Sequence, residues 1–273
     1  MDSIFKKPTQ LDHTISNSSG KLKRLASEFY YDQIMLREYA IRDSGERLQI
    51  YVPFDSDWKN DIKPILCKTP NLLCAMLSLK ERMSVELFDP SIRVRDSNVK
   101  KADLDLIIKW CIKNGFPFKP NFEYKPLGKP LFELQPVIFF MVWDFIERLN
   151  QIHNAYWLYQ IISGQKEDEI DPKNKYHDMS AEKCKILFEE IYQEIQFVNR
   201  ISFKPDVHWE VKTENLFDAA FYQLALLLNE PKKSVRVCPL CKIYFERTHA
   251  NRKYCTDPMC YPEKAYKRRR SAK

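Results

Sequence analysis

Four of the eight cysteines of this 273-residue chain lie in its last 36 residues, and their spacing constrains the fold more than any other feature. Two residues separate Cys238 from Cys241, thirteen residues follow, and four residues separate Cys255 from Cys260. Two close pairs on tight turns direct four thiolates at one point, which predicts a tetrahedral site for one structural Zn²⁺. Because the segment is too short and polar for a hydrophobic core of its own, metal binding would supply its folding free energy.

One alternative concerns the ligand set. His249 lies in the loop between the two pairs and is an alternative fourth ligand, since zinc accepts imidazole nitrogen as well as thiolate. A catalytic zinc is not expected at this site. Catalytic zinc keeps an open position for water, and four thiolates leave none.

The residues around these cysteines predict the local fold. A short apolar strand containing Tyr244 and Phe245 follows the first pair, a polar loop follows, and the chain returns through Tyr254. A knuckle, a hairpin and then a helix carrying the last ligand form a treble-clef arrangement. Tyr244, Phe245 and Tyr254 are the expected small core. The predicted fold class is therefore a mainly α (α+β) N-terminal domain with a small C-terminal treble-clef-like zinc finger.

Positive charge concentrates in the same region. Residues 232–273 carry 13 Lys and Arg against 3 Asp and Glu, a net charge of +10, whereas the rest of the chain carries −3. Such asymmetry favours a polyanionic partner, and we expect nucleic acid, with duplex DNA as the first choice. A basic tail that is merely solvated is the alternative. The candidate nucleic-acid-binding residues are Arg252, Lys253, Lys264, Lys267, Arg268, Arg269 and Arg270.

Three regions are predicted along the chain. Residues 1–20 are polar and are expected to be flexible, residues 21–232 form a mainly helical body for sensing or dimerisation, and residues 233–273 form the finger with its basic helix. The N-terminus has no signal-peptide pattern, and charged residues interrupt the apolar stretch 136–163. A cytoplasmic protein is expected, and a reducing compartment favours metal binding by the clustered cysteines over disulfides.

Periodicity predicts the elements of the body. Residues 29–54 read as a strand hairpin around Asp43-Ser44-Gly45, with a helix over 21–42 as the alternative. A short strand is also expected within 200–213. An exposed loop is expected over 165–178. Helices are predicted over 71–83, over 102–114 with Gly115 as the stop, over 137–163, over 181–199 and over 214–228.

Other residue types are expected to be structural. Cys67, Cys74, Cys111 and Cys184 lie on separate apolar segments and are predicted to be buried thiols. The tryptophans and most other aromatic residues of the helices are expected in the core, with an aromatic-lined ligand pocket as the alternative.

At its C-terminal end the chain resembles the CGNR-type zinc finger of bacterial proteins. The residues that carry the likeness are Cys238-x-x-Cys241, Tyr244-Phe245, Arg252-Lys253-Tyr254-Cys255 and Cys260, followed by the Lys/Arg-rich segment. Residues 217–228 resemble the helix before that finger, and residues 103–118 resemble an internal helix and turn. Tyr261-Pro262-Glu263 stands where the family has Gly-Asn-Arg. The resemblance implies a transcription regulator whose α-rich N-terminal domain senses a ligand or stress.

The leading functional prediction is a zinc-binding, DNA-binding regulatory protein that is not an enzyme. The first alternative is an adaptor whose zinc-stabilised finger docks onto another protein. The second is an enzyme that processes nucleic acid, although phosphate-binding glycine loops and nucleophile motifs are absent from the sequence. A small ligand of the helical body and a homodimer are further partners that the sequence leaves open.

Overall fold

A computed structural model describes much of the chain. The described residues are 14–16, 22–24, 27–36, 38–43, 47–53, 62–66, 71–84, 99–119, 122–126, 134–193, 195, 198–202, 208–213, 215–229, 233–249, 251–256 and 260. Most of the predicted N-terminal region 1–20, Cys67 and the basic segment 261–273 lie outside these residues.

Five α-helices lie within the described residues. They are α1 (Asn71–Arg82), α2 (Lys101–Asn114), α3 (Val142–Ile162), α4 (Ala181–Gln193) and α5 (Leu216–Asn229). Helix α3 is the centre of the body because it contacts α1, α4 and α5. Its buried face includes Phe145, Leu149, Ile152 and Tyr156, which recur at the spacing of helical turns. Among the described residues, no helix combines the length and the apolar character that crossing a bilayer requires.

Twelve strands belong to the same described residues. They are β1 (Thr14–Ser16), β2 (Leu22–Arg24), β3 (Ser27–Ile34), β4 (Ala40–Asp43), β5 (Leu48–Pro53), β6 (Ile62–Leu66), β7 (Phe122–Pro126), β8 (Leu134–Met141), β9 (Val198–Ser202), β10 (His208–Thr213), β11 (Ser234–Val237) and β12 (Tyr244–Arg247). Two four-stranded sheets have the orders β6-β3-β10-β9 and β4-β5-β8-β7. Only the β3–β10 pair is parallel among the pairs described. The chain is therefore a mixed helix and strand protein, with more strand than the mainly α prediction expected.

The hairpin prediction is confirmed at its centre. Strands β4 and β5 pair antiparallel with Asp43 opposite Leu48, on either side of the expected turn. The alternative helix over 21–42 is wrong, since β2, β3 and β4 occupy that region. Strand β3 belongs to the other sheet, where it pairs with β6 and β10.

Two helix boundaries differ from the prediction. The helix predicted from residue 137 begins only at Val142, because residues 134–141 form β8, which pairs with β5 and β7. This run is rich in branched and aromatic residues, which fit a strand paired on both sides. The helix predicted to reach residue 199 ends at Gln193, because β9 pairs with β10.

Helix α2 ends where the sequence predicts. Gly115 has a φ of 102°, and its N–H donates to the carbonyl of Cys111. A Cβ at this position would lie 3.0 Å from the carbonyl oxygen of Ile34, so glycine is required by both backbone conformation and space. The predicted exposed loop after α3 contains a short 3₁₀ helix, Glu167–Glu169, and the buried side chain of Asn174.

The core lies between the helices and the sheets. Trp110 and Phe145 are buried there with little or no exposed surface, which confirms the core prediction for these two residues, whereas Trp143 and Trp157 are only partly buried. Cys74, Cys111 and Cys184 are also buried, as predicted. Burial raises the pKa of the Cys74 and Cys111 thiols, so they are inert protonated groups.

Candidate metal centre

Strands β11 and β12 form a hairpin, and the turn between them carries the first cysteine pair. Within this cysteine knuckle (residues 238–241), the N–H of Cys238 donates to the carbonyl of Ile243, and the N–H of Lys242 donates to the carbonyl of Cys238; both distances are 2.9 Å. Lys242 has a φ of 58°, a left-handed conformation that reverses the chain within one turn. The closed turn places both thiols on the same side, toward Cys255 and Cys260.

The four predicted cysteines form one cluster. Their sulfur atoms all lie within 4.8 Å of one another, and the Sγ atoms of Cys241 and Cys255 are 3.6 Å apart. Four sulfurs about 2.3 Å from a central zinc would be about 3.8 Å apart. Cys238, Cys255 and Cys260 are buried, and Cys241 is partly exposed. The arrangement fits a tetrahedral metal ion, and His249 lies outside it.

The thiols of the cluster differ in acidity. Burial of Cys238 opposes ionisation, but hydrogen bonds from the backbone N–H groups of Cys241, Cys255 and Leu240 together outweigh burial and lower the pKa of Cys238 to about 6. Burial and contacts with the other three thiols raise the pKa of Cys260. Cys238 is therefore ionised more readily than Cys260, from which a binding metal ion must displace the proton.

The side chains that cover the cluster match the prediction only in part. Phe245 and Tyr254 pack against the cysteines, as expected. The guanidinium of Arg252 lies 5.3 Å from the centre of the Phe245 ring, and its Nε donates to the carbonyl of Tyr254 at 3.4 Å. Tyr244 instead belongs to the core of the body, so its predicted place in the small core is wrong. Neighbouring residues of a strand point to opposite faces. One face of β12 therefore packs in the core of the body, and the other packs against the cysteines.

Tyr244 fastens the hairpin to the body. Its ring meets that of Tyr156 edge-on, with centres 5.5 Å apart. Its N–H donates to Oγ of Ser78 on α1 at 2.9 Å, and the hydroxyl of Tyr156 donates to the carbonyl of Val235 at 3.2 Å. These buried contacts give the metal centre a defined position on α1 and α3.

Charged contacts reinforce the same junction. Glu169, on the 3₁₀ helix of the body, forms ion pairs with Arg236 of β11 and with Arg247 of β12, the latter at 3.1 Å. Desolvation opposes ionisation of Glu169, but its hydrogen bonds with the two arginines and their charges lower its pKa overall. The carboxylate thus joins both strands of the hairpin to the body.

A cleft of about 980 Å³ opens between the hairpin and the body, and positive side chains dominate its charged lining. The cleft also contains Glu169 as its acidic side chain, and His249 lies at its edge. The cations of this cationic cleft are Lys166, Lys185, Lys233, Arg236 and Arg247. Three of them come from the body or the segment before β11, and the sequence analysis did not select any of the five. Lys166 lies on the loop predicted over 165–178, and Lys233, Arg236 and Arg247 lie in the basic region 232–273, but no local pattern connects them with Lys185 on α4.

The predicted nucleic-acid-binding residues fall into two groups. Lys253 is exposed beside the metal centre, and Arg252 is half-buried against Phe245. Five others lie outside the described residues: Lys264, Lys267, Arg268, Arg269 and Arg270.

No family model, curated protein or solved structure matches this chain. The likeness of the C-terminal region to the CGNR-type finger therefore stays a prediction, with no relative to support or oppose it.

Proposed function

We propose that the chain is a zinc-binding regulatory protein that binds duplex DNA through the cationic cleft and the basic C-terminal segment. The cleft carries this proposal, because it brings lysine side chains of the body together with lysine and arginine side chains on or next to β11 and β12, in the most basic part of the chain. In this account the ion has a structural role and DNA binding is electrostatic.

The chemistry of the cluster supports zinc. Four thiolates are a common ligand set of structural zinc, and the sulfur separations suit Zn–S bonds of about 2.3 Å. Soft sulfur donors disfavour magnesium and calcium, which take oxygen ligands. With four protein ligands the ion has no free position for substrate, so its expected contribution is folding free energy rather than catalysis.

The cationic side chains of the cleft are suited to phosphate. Lys166 is exposed, Lys185 pairs with Glu182 at 3.2 Å, and Lys233 is 3.9 Å from Glu246. The Lys185–Glu182 pair is exposed, and surface ion pairs of this kind contribute little free energy, so phosphate oxygens can replace that carboxylate at low cost. Each lysine or arginine that contacts a phosphate releases condensed counterions, and binding should weaken steeply with salt.

The C-terminal segment adds further basic residues to those of the cleft. Its five basic residues from 264 to 270 are expected to contact phosphates, together with Lys253. Arg252 is expected to contribute less, because its guanidinium lies over Phe245 and supports the metal centre. Phosphate contacts position a protein on DNA without reading sequence, so the proposal assigns no base contact.

Fluorescence anisotropy with random-sequence duplex DNA at several salt concentrations tests the proposal. The variant Lys166→Ala/Lys233→Ala should bind more weakly, with a log–log salt slope shallower by about 0.9 for each phosphate that the variant no longer neutralises. Deleting residues 264–273 should weaken binding further. The control Lys109→Ala/Lys113→Ala removes two exposed charges from α2 and should leave affinity nearly unchanged. Equal losses in both double variants, or no binding by the zinc-loaded wild type, would refute the role of the cleft.

An exposed apolar group supports the adaptor as a second candidate. Val237, Leu240 and Ile243 surround the cysteine knuckle with 41%, 53% and 42% of their surfaces exposed. Apolar residues clustered on a rigid turn are typical of protein contacts. A protein partner that binds at high salt, and that Leu240→Ser/Ile243→Ser releases, would favour this candidate over DNA binding.

A further inference from the structure

A second group of possible metal ligands lies at the junction of the body with the β11–β12 hairpin. It comprises Glu81 in the last turn of α1, His153 in the middle of α3 and Asp171 in the segment after the 3₁₀ helix. Their ligand atoms all lie within 4.8 Å of one another. Nitrogen and oxygen donors from three separate elements thus converge on one point.

His153 provides the main evidence for a ligand. Its side chain is 8% exposed, and its Nε2 makes no hydrogen bond within the described part of the chain. This nitrogen faces Oε1 of Glu81 at 3.4 Å, longer than the usual charge-assisted hydrogen bond of about 2.7–2.9 Å. Two ligands that share one ion at about 2.0–2.1 Å with tetrahedral angles are about 3.4 Å apart.

The surrounding residues hold the other ligands in place. Oδ2 of Asp171 accepts a hydrogen bond from Nε1 of Trp157 at 3.3 Å, and Oδ1 accepts one from the N–H of Lys173 at 2.9 Å. The Trp157 ring also meets the His153 ring edge-on, with centres 4.5 Å apart. Carboxylate ligands in metal sites are commonly oriented by such outer hydrogen bonds.

Glu81 links this group to solvent and to the hairpin. Its side chain is 29% exposed, which gives an ion a route of entry. The contact with His153 is the largest influence on its pKa, which lies below the usual value, with smaller contributions from the charges of Lys173 and Lys80. The carboxylate is therefore ionised at neutral pH. Glu81 also lies near the hydroxyl of Tyr244, three residues beyond Cys241, and it adds to the burial that raises the pKa of that hydroxyl.

We propose that Glu81, His153 and Asp171 bind a second divalent ion of the first transition series, separate from the ion held by the four cysteines. One imidazole and two carboxylates suit Zn²⁺, Co²⁺ or Mn²⁺, and three protein ligands leave a position for water. The ion joins α1, α3 and the segment before α4 at the place where Tyr244 docks. An ion pair between protonated His153 and Glu81 is the competing explanation of the same contact.

Cobalt titration of the full chain separates the two sites. The cysteine centre is first filled with one equivalent of Zn²⁺, and Co²⁺ is then added while the absorption spectrum is recorded. We expect one further ion with weak visible bands and without the intense near-ultraviolet thiolate-to-cobalt bands that exchange at the cysteines would produce. Glu81→Gln, a nearly isosteric change at a partly exposed position, should weaken this binding by at least about 10- to 100-fold.

Two further variants complete the test. His153→Ala should abolish binding of the second ion, and circular dichroism checks that each variant is folded. His177→Ala is the matched control, because His177 also lies beside a carboxylate, 3.0 Å from Asp178, but is largely exposed. It should bind the second ion like the wild type. The proposal would be overturned if the wild type bound only one ion. It would also be overturned if Glu81→Gln and His153→Ala both bound the second ion as tightly as the wild type.

Discussion

At the scale of single residues, Lys242 adopts a backbone conformation that side chains disfavour. Its φ is 58°, and its N–H closes the cysteine knuckle by donating to Cys238. A Cβ in the left-handed region costs roughly 1–2 kcal/mol, which glycine avoids. The turn that closes the cysteine knuckle therefore carries an unfavourable conformational free energy at Lys242.

Replacing Lys242 by glycine tests directly how much its left-handed backbone conformation lowers the stability of the protein. Lys242→Gly should raise the free energy of unfolding of the zinc-loaded protein by up to about 1 kcal/mol, after allowance for the greater flexibility of glycine in the unfolded chain. Lys242→Ala, which removes the same charge but keeps a Cβ, is the control and should not be stabilised. Chemical denaturation of both variants gives the comparison. A glycine variant no more stable than the alanine variant would show that the turn carries no such cost.

Replacing one cysteine of the cluster should unfold the segment around it. In Cys255→Ser a weak hydroxyl ligand replaces a buried thiolate, so we expect loss of tightly bound zinc and faster proteolysis after β11. Cys184→Ala removes a buried thiol from α4 and should keep its zinc. Metal analysis after dialysis measures both. Unchanged zinc content in Cys255→Ser would exclude that residue as a ligand.

Some of these residues were predictable from sequence and others were not. The four cysteines lie within one short segment, so their spacing alone indicates a common site. Glu81, His153 and Asp171 come from three elements whose packing brings them together, and no local pattern connects them. Tyr244 was assigned to the wrong core, because the alternation of β12 shows that two faces exist but not what each one contacts.

At the scale of elements, the contact of β12 with α1 fixes the β11–β12 hairpin to the body. Oγ of Ser78 accepts from the N–H of Tyr244 and donates to the carbonyl of Cys74 at 2.7 Å. The Ser78 hydroxyl thus hydrogen-bonds one backbone group of β12 and one of α1.

Helices α1, α2 and α5 were predicted to within about two residues, because local periodicity and stop signals specify them. Strands β8 and β9 were missed in part because their distant partners decide their conformation.

Ser78→Ala should loosen this junction. The change leaves the N–H of Tyr244 without its acceptor in a partly buried position, which costs up to about 1–3 kcal/mol. We expect faster hydrogen exchange at the Tyr244 amide and a lower free energy of unfolding. Lys109→Ala, at an exposed position of α2, is the control and should change stability by less than about 0.5 kcal/mol. Unaltered exchange at Tyr244 in Ser78→Ala would contradict the contact.

At the scale of the whole molecule, we expect Glu169 to make the attachment of the β11–β12 hairpin dependent on pH. Because Arg236 and Arg247 lower the pKa of Glu169 in the folded protein, its contribution to stability is fully present above the ordinary glutamate pKa of about 4.3. That contribution is lost as the pH falls through the lower folded value. Acid should therefore weaken the junction between the hairpin and the body.

The variant Glu169→Gln isolates this effect. Its free energy of unfolding should lie below that of the wild type at neutral pH, and the difference should shrink as the pH falls below about 4.3. Comparison with the wild type removes the separate effect of acid on the cysteine thiolates. Glu167→Gln, on the same 3₁₀ helix but exposed, is the control and should follow the wild type. A constant difference across this pH range would contradict the role of Glu169.

The most direct test of the central claim is X-ray absorption at the zinc edge of the full chain loaded with one equivalent of Zn²⁺. The cluster of Cys238, Cys241, Cys255 and Cys260 predicts a single shell of four sulfur atoms at about 2.3 Å. A shell with nitrogen or oxygen ligands at about 2.0–2.1 Å would contradict it and would direct attention to His249 or to the group around His153.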